Sequence, residues 1–100
     1  MAVDFAGLQA LAAERKIPIE QLVNYVENRV AEAYAEFPGA KPKGRCVYNR
    51  LAGEFVIHVP VYAEDGTWLE TVVDDPAGFA PIAESVARKS LKEKIREVAD

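Results

Sequence analysis

The stretch Arg45-Cys46-Val47-Tyr48-Asn49-Arg50-Leu51-Ala52-Gly53-Glu54-Phe55-Val56-Ile57-His58-Val59-Pro60 decides the fold. Before it, apolar residues recur every three or four positions. Within it they alternate, Cys46 and Tyr48 on one side, then Phe55, Ile57 and Val59 on one side. Between the two runs, Asn49 can accept from its own backbone in a turn, and Gly53 can take the positive φ that a bulged turn demands, so the stretch reads as a β-hairpin. Pro60 has no amide to give to a ladder, which places a bend or an edge near that point of the second strand. Ala63-Glu64-Asp65-Gly66 then makes a second turn. Thr67-Trp68-Leu69-Glu70-Thr71-Val72-Val73, rich in β-branched and aromatic residues, makes a third strand, and the three strands form an antiparallel meander.

Working upstream, Asp4 is placed to cap a first helix lined by Phe5, Leu8, Leu11 and Ala12 and ending near Lys16. Pro18 fits the first turn of a second helix, where its missing amide costs nothing, with Glu20 near the positive end of the dipole. Ile19, Leu22, Val23, Val26, Val30, Ala33, Tyr34 and Phe37 stack on one side of this helix until Pro38-Gly39 stops it. Residues 38–44, with Lys41 and Lys43, read as an exposed basic loop. Downstream, Asp74-Asp75-Pro76-Ala77-Gly78 leads into a last helix from about Phe79 to Val98. Its apolar face is Ala83, Ala87, Leu91, Ile95 and Val98, widened by Phe79, Ile82 and Val86, opposite Ser85, Lys89, Lys92 and Arg96. The expected fold class is α+β: two N-terminal helices, a three-stranded antiparallel meander and a long C-terminal helix, with the helices on one face of the sheet.

The 100 residues, half of them apolar and 28 charged, suit one domain over 1–100. A globule of this length has a radius of gyration of ~13 Å and forms a core without metals or disulfides. Cys46 is the only cysteine and His58 the only histidine, which excludes an internal disulfide framework and leaves no zinc-ligand set. Met1-Ala2-Val3-Asp4 lacks the basic start of a secretory signal, and no window approaches the ~18 apolar residues of a spanning helix, so a cytoplasmic location is expected. The net charge of −4 opposes overall attraction to polyanions. It is unevenly spread: residues 45–87 hold 2 bases and 7 acids, whereas residues 88–100 hold 5 bases and 3 acids.

Each chemical candidate has a plainer counterpart. Cys46 faces the apolar side of its strand while His58 faces the other, so they do not form a nucleophile–base pair and read as a buried small hydrophobe and a surface imidazole. Asp74 and Asp75 lack the other oxygens a hard cation needs and read as capping residues before the last helix. Gly78 stands alone and cannot form a phosphate-cradling loop. Trp68, Tyr62 and Phe55 could stack single-stranded bases, but a small sheet normally uses such residues to pack helices, and that reading is preferred. The stripe Arg88, Lys89, Lys92, Lys94 and Arg96, diluted by Glu93 and Glu97, is either a solvated helix face or a phosphate-binding surface joined by Lys41 and Lys43. No enzyme machinery, cofactor loop or metal set is visible, and binding is the default activity.

Several stretches in order, taken together, resemble the N-terminal domain of the bacterial transcription elongation and termination factor NusA, in a form similar to actinobacterial members. They are Phe5-Ala6-Gly7-Leu8-Gln9-Ala10-Leu11 with Glu14-Arg15-Lys16-Ile17-Pro18, and Ile19-Glu20-Gln21-Leu22-Val23 through Ala31-Glu32-Ala33-Tyr34. The hairpin Arg45-Cys46-Val47-Tyr48-Asn49-Arg50-Leu51-Ala52-Gly53 follows, with Asn49 where the family usually has an acid. Most distinctive is Val73-Asp74-Asp75-Pro76-Ala77-Gly78-Phe79 with Ile82-Ala83 and Ala87-Arg88. The resemblance implies a non-enzymatic module that docks on RNA polymerase at the flap-tip helix of the β subunit and modulates pausing, termination or antitermination. It also implies weak contact with nascent RNA, with Arg88 at the position of a family lysine.

Two departures stand out. Pro81 precedes Ile82 where the family usually has an arginine, and supplies no charge there. Family members continue into an oligonucleotide-binding barrel and two KH domains, while this sequence stops at Asp100, as an excised domain or a stand-alone protein would. Polymerase docking is expected on an apolar groove in the helical half, from among Phe5, Leu8, Leu11, Leu22, Tyr25 and Val26. RNA contact is assigned to Arg88, Lys89, Lys92, Lys41 and Lys43, with no cofactor, small-molecule substrate or membrane partner. The alternative is a small nucleic-acid-binding α+β protein that uses its basic helix without polymerase; the acidic net charge counts against it.

Overall fold

A computed structural model describes the backbone of residues 4–99 and the side chains of residues 4–96. Glu97 and Val98, expected to dilute the basic stripe and to extend the apolar face of the last helix, lie outside the described side chains. The elements are α1 (Phe5–Arg15), α2 (Ile19–Ala35), β1 (Arg45–Asn49), β2 (Glu54–Tyr62), β3 (Trp68–Asp74) and α3 (Phe79–Ala99). The sheet is antiparallel in the order β1-β2-β3, so the fold is the α+β arrangement expected.

Local chemistry sets the boundaries. The Gly7 amide donates to Asp4 Oδ2 at 3.3 Å, starting α1. Lys16 closes it in the left-handed region at φ 58°, and the Ile17 amide donates back to the Ala12 carbonyl, which turns the buried Ile17 side chain under the helix. Pro18 stands one step ahead of the expected first turn, as the cap of α2, and its carbonyl accepts from Gln21 and Leu22. α2 ends at Ala35, two residues before Phe37, which leaves the helix and sets its ring edge-on to Phe79 at 5.3 Å. In the hairpin, Asn49 Oδ1 accepts from the amides of Leu51 and Ala52, and Gly53 adopts φ 70°.

The register explains Pro60. β1 ends at the Arg45–His58 pair, so beyond His58 the central strand β2 has β3 alone beside it. Pro60 lies in that overhang opposite Thr71, and a bulge follows between Val61 and Tyr62. The edge of β1 is covered by α2: the Tyr48 amide donates to Glu27 Oε2 at 2.7 Å.

Two apolar clusters sit in a row under the helices. One joins Val26, Val30 and Tyr34 of α2 to Ile57 and Val59 of β2 and to Phe79, Ala83 and Ala87 of α3. The other joins Leu8, Ala12 and Ile17 to Leu22, Val23 and Tyr48. Phe55 and Leu91 pack against both. The row makes the molecule elongated, 49 × 24 × 23 Å with a radius of gyration of 14.8 Å, above the value for an even globule of this length.

Tyr34 is the hub of the first cluster. Its hydroxyl donates to Asp74 Oδ2 and accepts the Lys41 amide at 2.9 Å, while Lys41 Nζ lies 3.4 Å from Asp74 Oδ1. Asp74 is therefore not the helix cap expected of it; it ties the end of β3 to α2 and the loop before β1. That loop passes so close to the Tyr34 ring that a Cβ on Gly44 would lie 2.6 Å from it. Gly44 is required by proximity, not by backbone conformation.

Candidate functional site

Three surfaces carry the functional candidates. The first is the outer side of α3. Ser85, Lys89, Lys92 and Arg96 are exposed there, as the 3.6-residue period requires. Lys89 and Lys92 make no ion pair among the described residues, whereas Arg88 pairs with Glu84 one turn back at 2.8 Å. Lys94 leaves the stripe. It is buried against α2, with Nζ 5.2 Å from the centre of the Tyr25 ring, beside Glu93, which meets Tyr25 and Arg29. Ser90 is buried too, its hydroxyl satisfied by the Val86 carbonyl at 2.6 Å. Ile82, expected to widen the apolar face, is instead exposed at the start of the helix.

The loop lysines do not join that stripe. Lys41 is held at Asp74, and Lys43 lies on the far side of the sheet, with Nζ 5.1 Å from the centre of the Tyr62 ring. The five residues assigned to RNA contact thus fall in three places: Arg88, Lys89 and Lys92 on α3, Lys41 at Asp74, and Lys43 on the open side of the sheet. Pro81, the third residue of α3, is exposed and offers no charge.

The residues expected to form a docking groove also separate. Leu8, Leu22 and Val26 are core side chains, the first two in the cluster under α1 and Val26 in the cluster between α2, β2 and α3, and none is open to a partner in the folded domain. Phe5, Leu11 and Tyr25 remain half-buried. Of these, Phe5 is covered by the Arg50 guanidinium 4.7 Å from its ring, and Tyr25 by Lys94. A concave apolar surface occurs elsewhere, as a cleft of about 500 Å³ between the start of β2, the end of β3 and the first turns of α3. It exists because β3 stops pairing at Asp74, opposite Ile57, while β2 runs back to Glu54. Phe55, Ile57 and Phe79 line it together with the acids Glu54, Asp75 and Glu84. Nothing in the period of the chain signals this cleft, since it depends on unequal strand lengths.

The third surface is the open face of the sheet, away from the helices. Trp68 and Tyr62, expected in the core, stand there 57% and 44% exposed. Alternation puts them there: Tyr62 shares a face with His58 and Pro60, opposite to Ile57 and Val59, and Trp68 pairs with Tyr62. Phe55 alone of the three aromatics packs inward, 4.6 Å from Tyr48.

Cys46 pairs with Ile57 on the inner face while His58 pairs with Arg45 on the outer one, so the two do not meet. Burial, and then the charge of Glu27, pushes the Cys46 thiol up to about 12, the opposite of what a nucleophile needs. Among the described residues no group of three or more histidine, cysteine or acidic side chains could hold a metal, and no helix is long and apolar enough to cross a membrane.

No family model matches the chain. Over 97 residues it is 26% identical to the transcription termination/antitermination protein NusA of Mycobacterium bovis, and equally so to that of Mycobacterium tuberculosis H37Rv. The alignment takes in 97% of this chain and 28% of each relative, so the chain spans little more than a quarter of the curated relatives it matches. The likeness to NusA read from the residues therefore extends along almost the whole sequence.

Proposed function

We propose that this chain is a transcription termination or antitermination module that docks on RNA polymerase at the flap-tip helix of the β subunit and touches nascent RNA weakly. The observation that carries the reading is the similarity to NusA along 97% of the chain, in a domain whose elements follow the same order as the motifs. Docking of a helix needs an apolar groove, and the cleft beside the half-buried Phe55, with the core side chains Ile57 and Phe79 behind it, supplies one. Glu54 and Asp75 on its rim favour a helix with basic flanks, while Glu84 is held by Arg88. RNA contact falls to Lys89 and Lys92 with Arg88, on the exposed side of α3.

The test is an NMR titration of the labelled chain with the isolated flap region of a bacterial RNA polymerase β subunit, repeated with a short RNA hairpin. Shifts from flap are expected at Phe55 and from Val73 to Ala83. Shifts at Phe5, Leu11 and Tyr25 instead would move the docking face to the helical half. No response to flap, with a saturable response to RNA, would replace this reading by that of a nucleic-acid-binding protein independent of polymerase. Charge reversal at Lys89 and Lys92 is expected to remove the salt-sensitive RNA shifts near Arg88.

A further inference from the structure

The open face of the sheet has no task in the reading above. Helices cover the other face, and the outward side chains of all three strands are left to solvent or half-buried. Along the face, Trp68 and Tyr62 form a cross-strand pair at one end, Pro60 and Thr71 follow, and the Arg45–His58 pair comes next. Lys43 reaches the aromatic end from the preceding loop. Its left-handed backbone, φ 61°, accompanies the Nζ position over the Tyr62 ring. These side chains line a shallow depression of about 420 Å³.

The chemistry of this patch favours one kind of occupant. Two large aromatics stand exposed, 57% and 44%, where burying them against solvent would have been worth more than leaving them out. Beside them Lys43, Arg45, His58 and Thr71 share the depression with Pro60 and Val47, which puts two cations on this face of a protein whose net charge is −4. The Arg45 side chain makes no ion pair or hydrogen bond, and Lys43 no ion pair, among the described residues. The acids nearest in sequence to the aromatic pair are Glu64, Asp65 and Glu70: the first two belong to the β2–β3 turn, where Asp65 accepts the Thr67 amide at 2.9 Å, and Glu70 pairs with Val61, one step out of phase with the Pro60–Thr71 pair of the open face. A partner protein helix would need a continuous apolar strip, but Val47 and Val73 are separated from the aromatic pair by these polar side chains. Exposed rings beside cations that meet no acid suit unstacked bases joined by phosphates, with Lys43 moving from the Tyr62 ring to a phosphate as a base stacks there.

We propose that this face binds a short single-stranded segment of RNA, with bases stacked on Trp68 and Tyr62 and phosphates met by Lys43 and Arg45. A segment of about two to three nucleotides is what a sheet face of this kind holds. The site is separate from the α3 stripe, which lies on the helical side, and it does not rest on polymerase docking. It reads no base sequence through groove contacts, so affinity depends on salt and on single-strandedness.

Trp68 is the only tryptophan, so its fluorescence reports stacking at this face and nowhere else. The chain is titrated with an eight-nucleotide oligouridylate, with a duplex of the same length, and with the single strand over a series of salt concentrations. A saturable quench by the single strand and little by the duplex is expected. Replacing both cations, Lys43→Gln with Arg45→Gln, should lower the slope of log affinity against log salt by about 1.4, as two fewer phosphate contacts on a single strand require. Tyr62→Ala should weaken binding of a dye-labelled oligouridylate, read by anisotropy, by about five- to a hundredfold. Leu51→Ala, in the exposed hairpin turn away from both RNA surfaces, should leave the quench unchanged. The proposal is overturned by the absence of a quench at low salt, by an equal quench with duplex, or by a Tyr62→Ala variant that binds as tightly as the parent. Both substituted regions are exposed, and an unchanged circular dichroism spectrum verifies that each variant is folded.

Discussion

On the inner face of the sheet Tyr48, Ile57 and Val59 are sealed under the helices, whereas on the outer face Val47, Tyr62, Trp68 and Val73 stand in solvent. The same strands supply both rows, with Val72 of β3 packed against the inner one, and Ile57 and His58, on opposite faces, are one step apart along β2. The inner row is small, β-branched or ring-shaped, and fills space between α2, α3 and the sheet. The outer row mixes rings with Lys43, Arg45 and His58. A sheet covered on one side is thus a scaffold on that side and a candidate surface on the other.

The comparison can be broken by matched substitutions. Ile57→Ala, at 2% exposure, should cost about 2–5 kcal/mol, while Val73→Ala, at 58% on the neighbouring strand, should stay within about 0.5 kcal/mol. Chemical denaturation of both variants measures this, and equal losses would contradict the division into two faces. Next in size is the Tyr34 hub. Tyr34→Phe leaves Asp74 without its hydroxyl donor at the edge of the core and should cost about 1–3 kcal/mol. Gly44→Ala pushes a methyl into the Tyr34 ring and should cost about 1–3 kcal/mol through overpacking; unfolding midpoints of the two single variants and the double variant would show whether they share one site.

The hub also carries a pH dependence. Burial, and then the hydrogen bond with Asp74, hold the Tyr34 hydroxyl above its ordinary 10.0. The unfolded chain gives up that proton first, so this contribution is fully present below pH 10.0 and is lost as pH rises through the folded-state value. Unfolding followed from pH 8 to 12 should show stability falling above pH 10.0, with a shallower fall in Tyr34→Phe. The smallest effect concerns Cys46. With its thiol pushed up from 9.0 to about 12, alkylation at pH 8 should be much slower in the folded protein than in denaturant, timed by mass spectrometry, and by the same linkage this group adds to the loss of stability as pH rises above 9.0.

The stretches that carry the resemblance to NusA prove to be mostly fold-making stretches. Tyr34 and Asp74, from two of them, form one hydrogen bond, and Asn49 and Gly53, from a third, close the hairpin. Asn49 and Gly53 were legible because each acts on its own backbone, whereas the partnership of Tyr34 and Asp74, 40 residues apart, was not. The sites were less legible than the turn. Leu8, Leu22 and Val26 have the same spacing as Phe5, Leu11 and Tyr25, and only packing divides core from surface among them. Lys94 reads as one more cation of a helix face until its position over Tyr25 is known.

By itself the sequence determined the element order, the capped start of α1, the hairpin turn and the strand alternation, because these follow from interactions within a few residues of one another. Tertiary structure alone decided which side of the sheet the helices cover, and with it that Trp68 and Tyr62 face solvent. It decided that Asp74 serves Tyr34 rather than a helix end, and that a cleft opens where β3 stops short of β2. A period of two says which residues share a face but not which face is covered, since that depends on contacts between segments far apart in the chain.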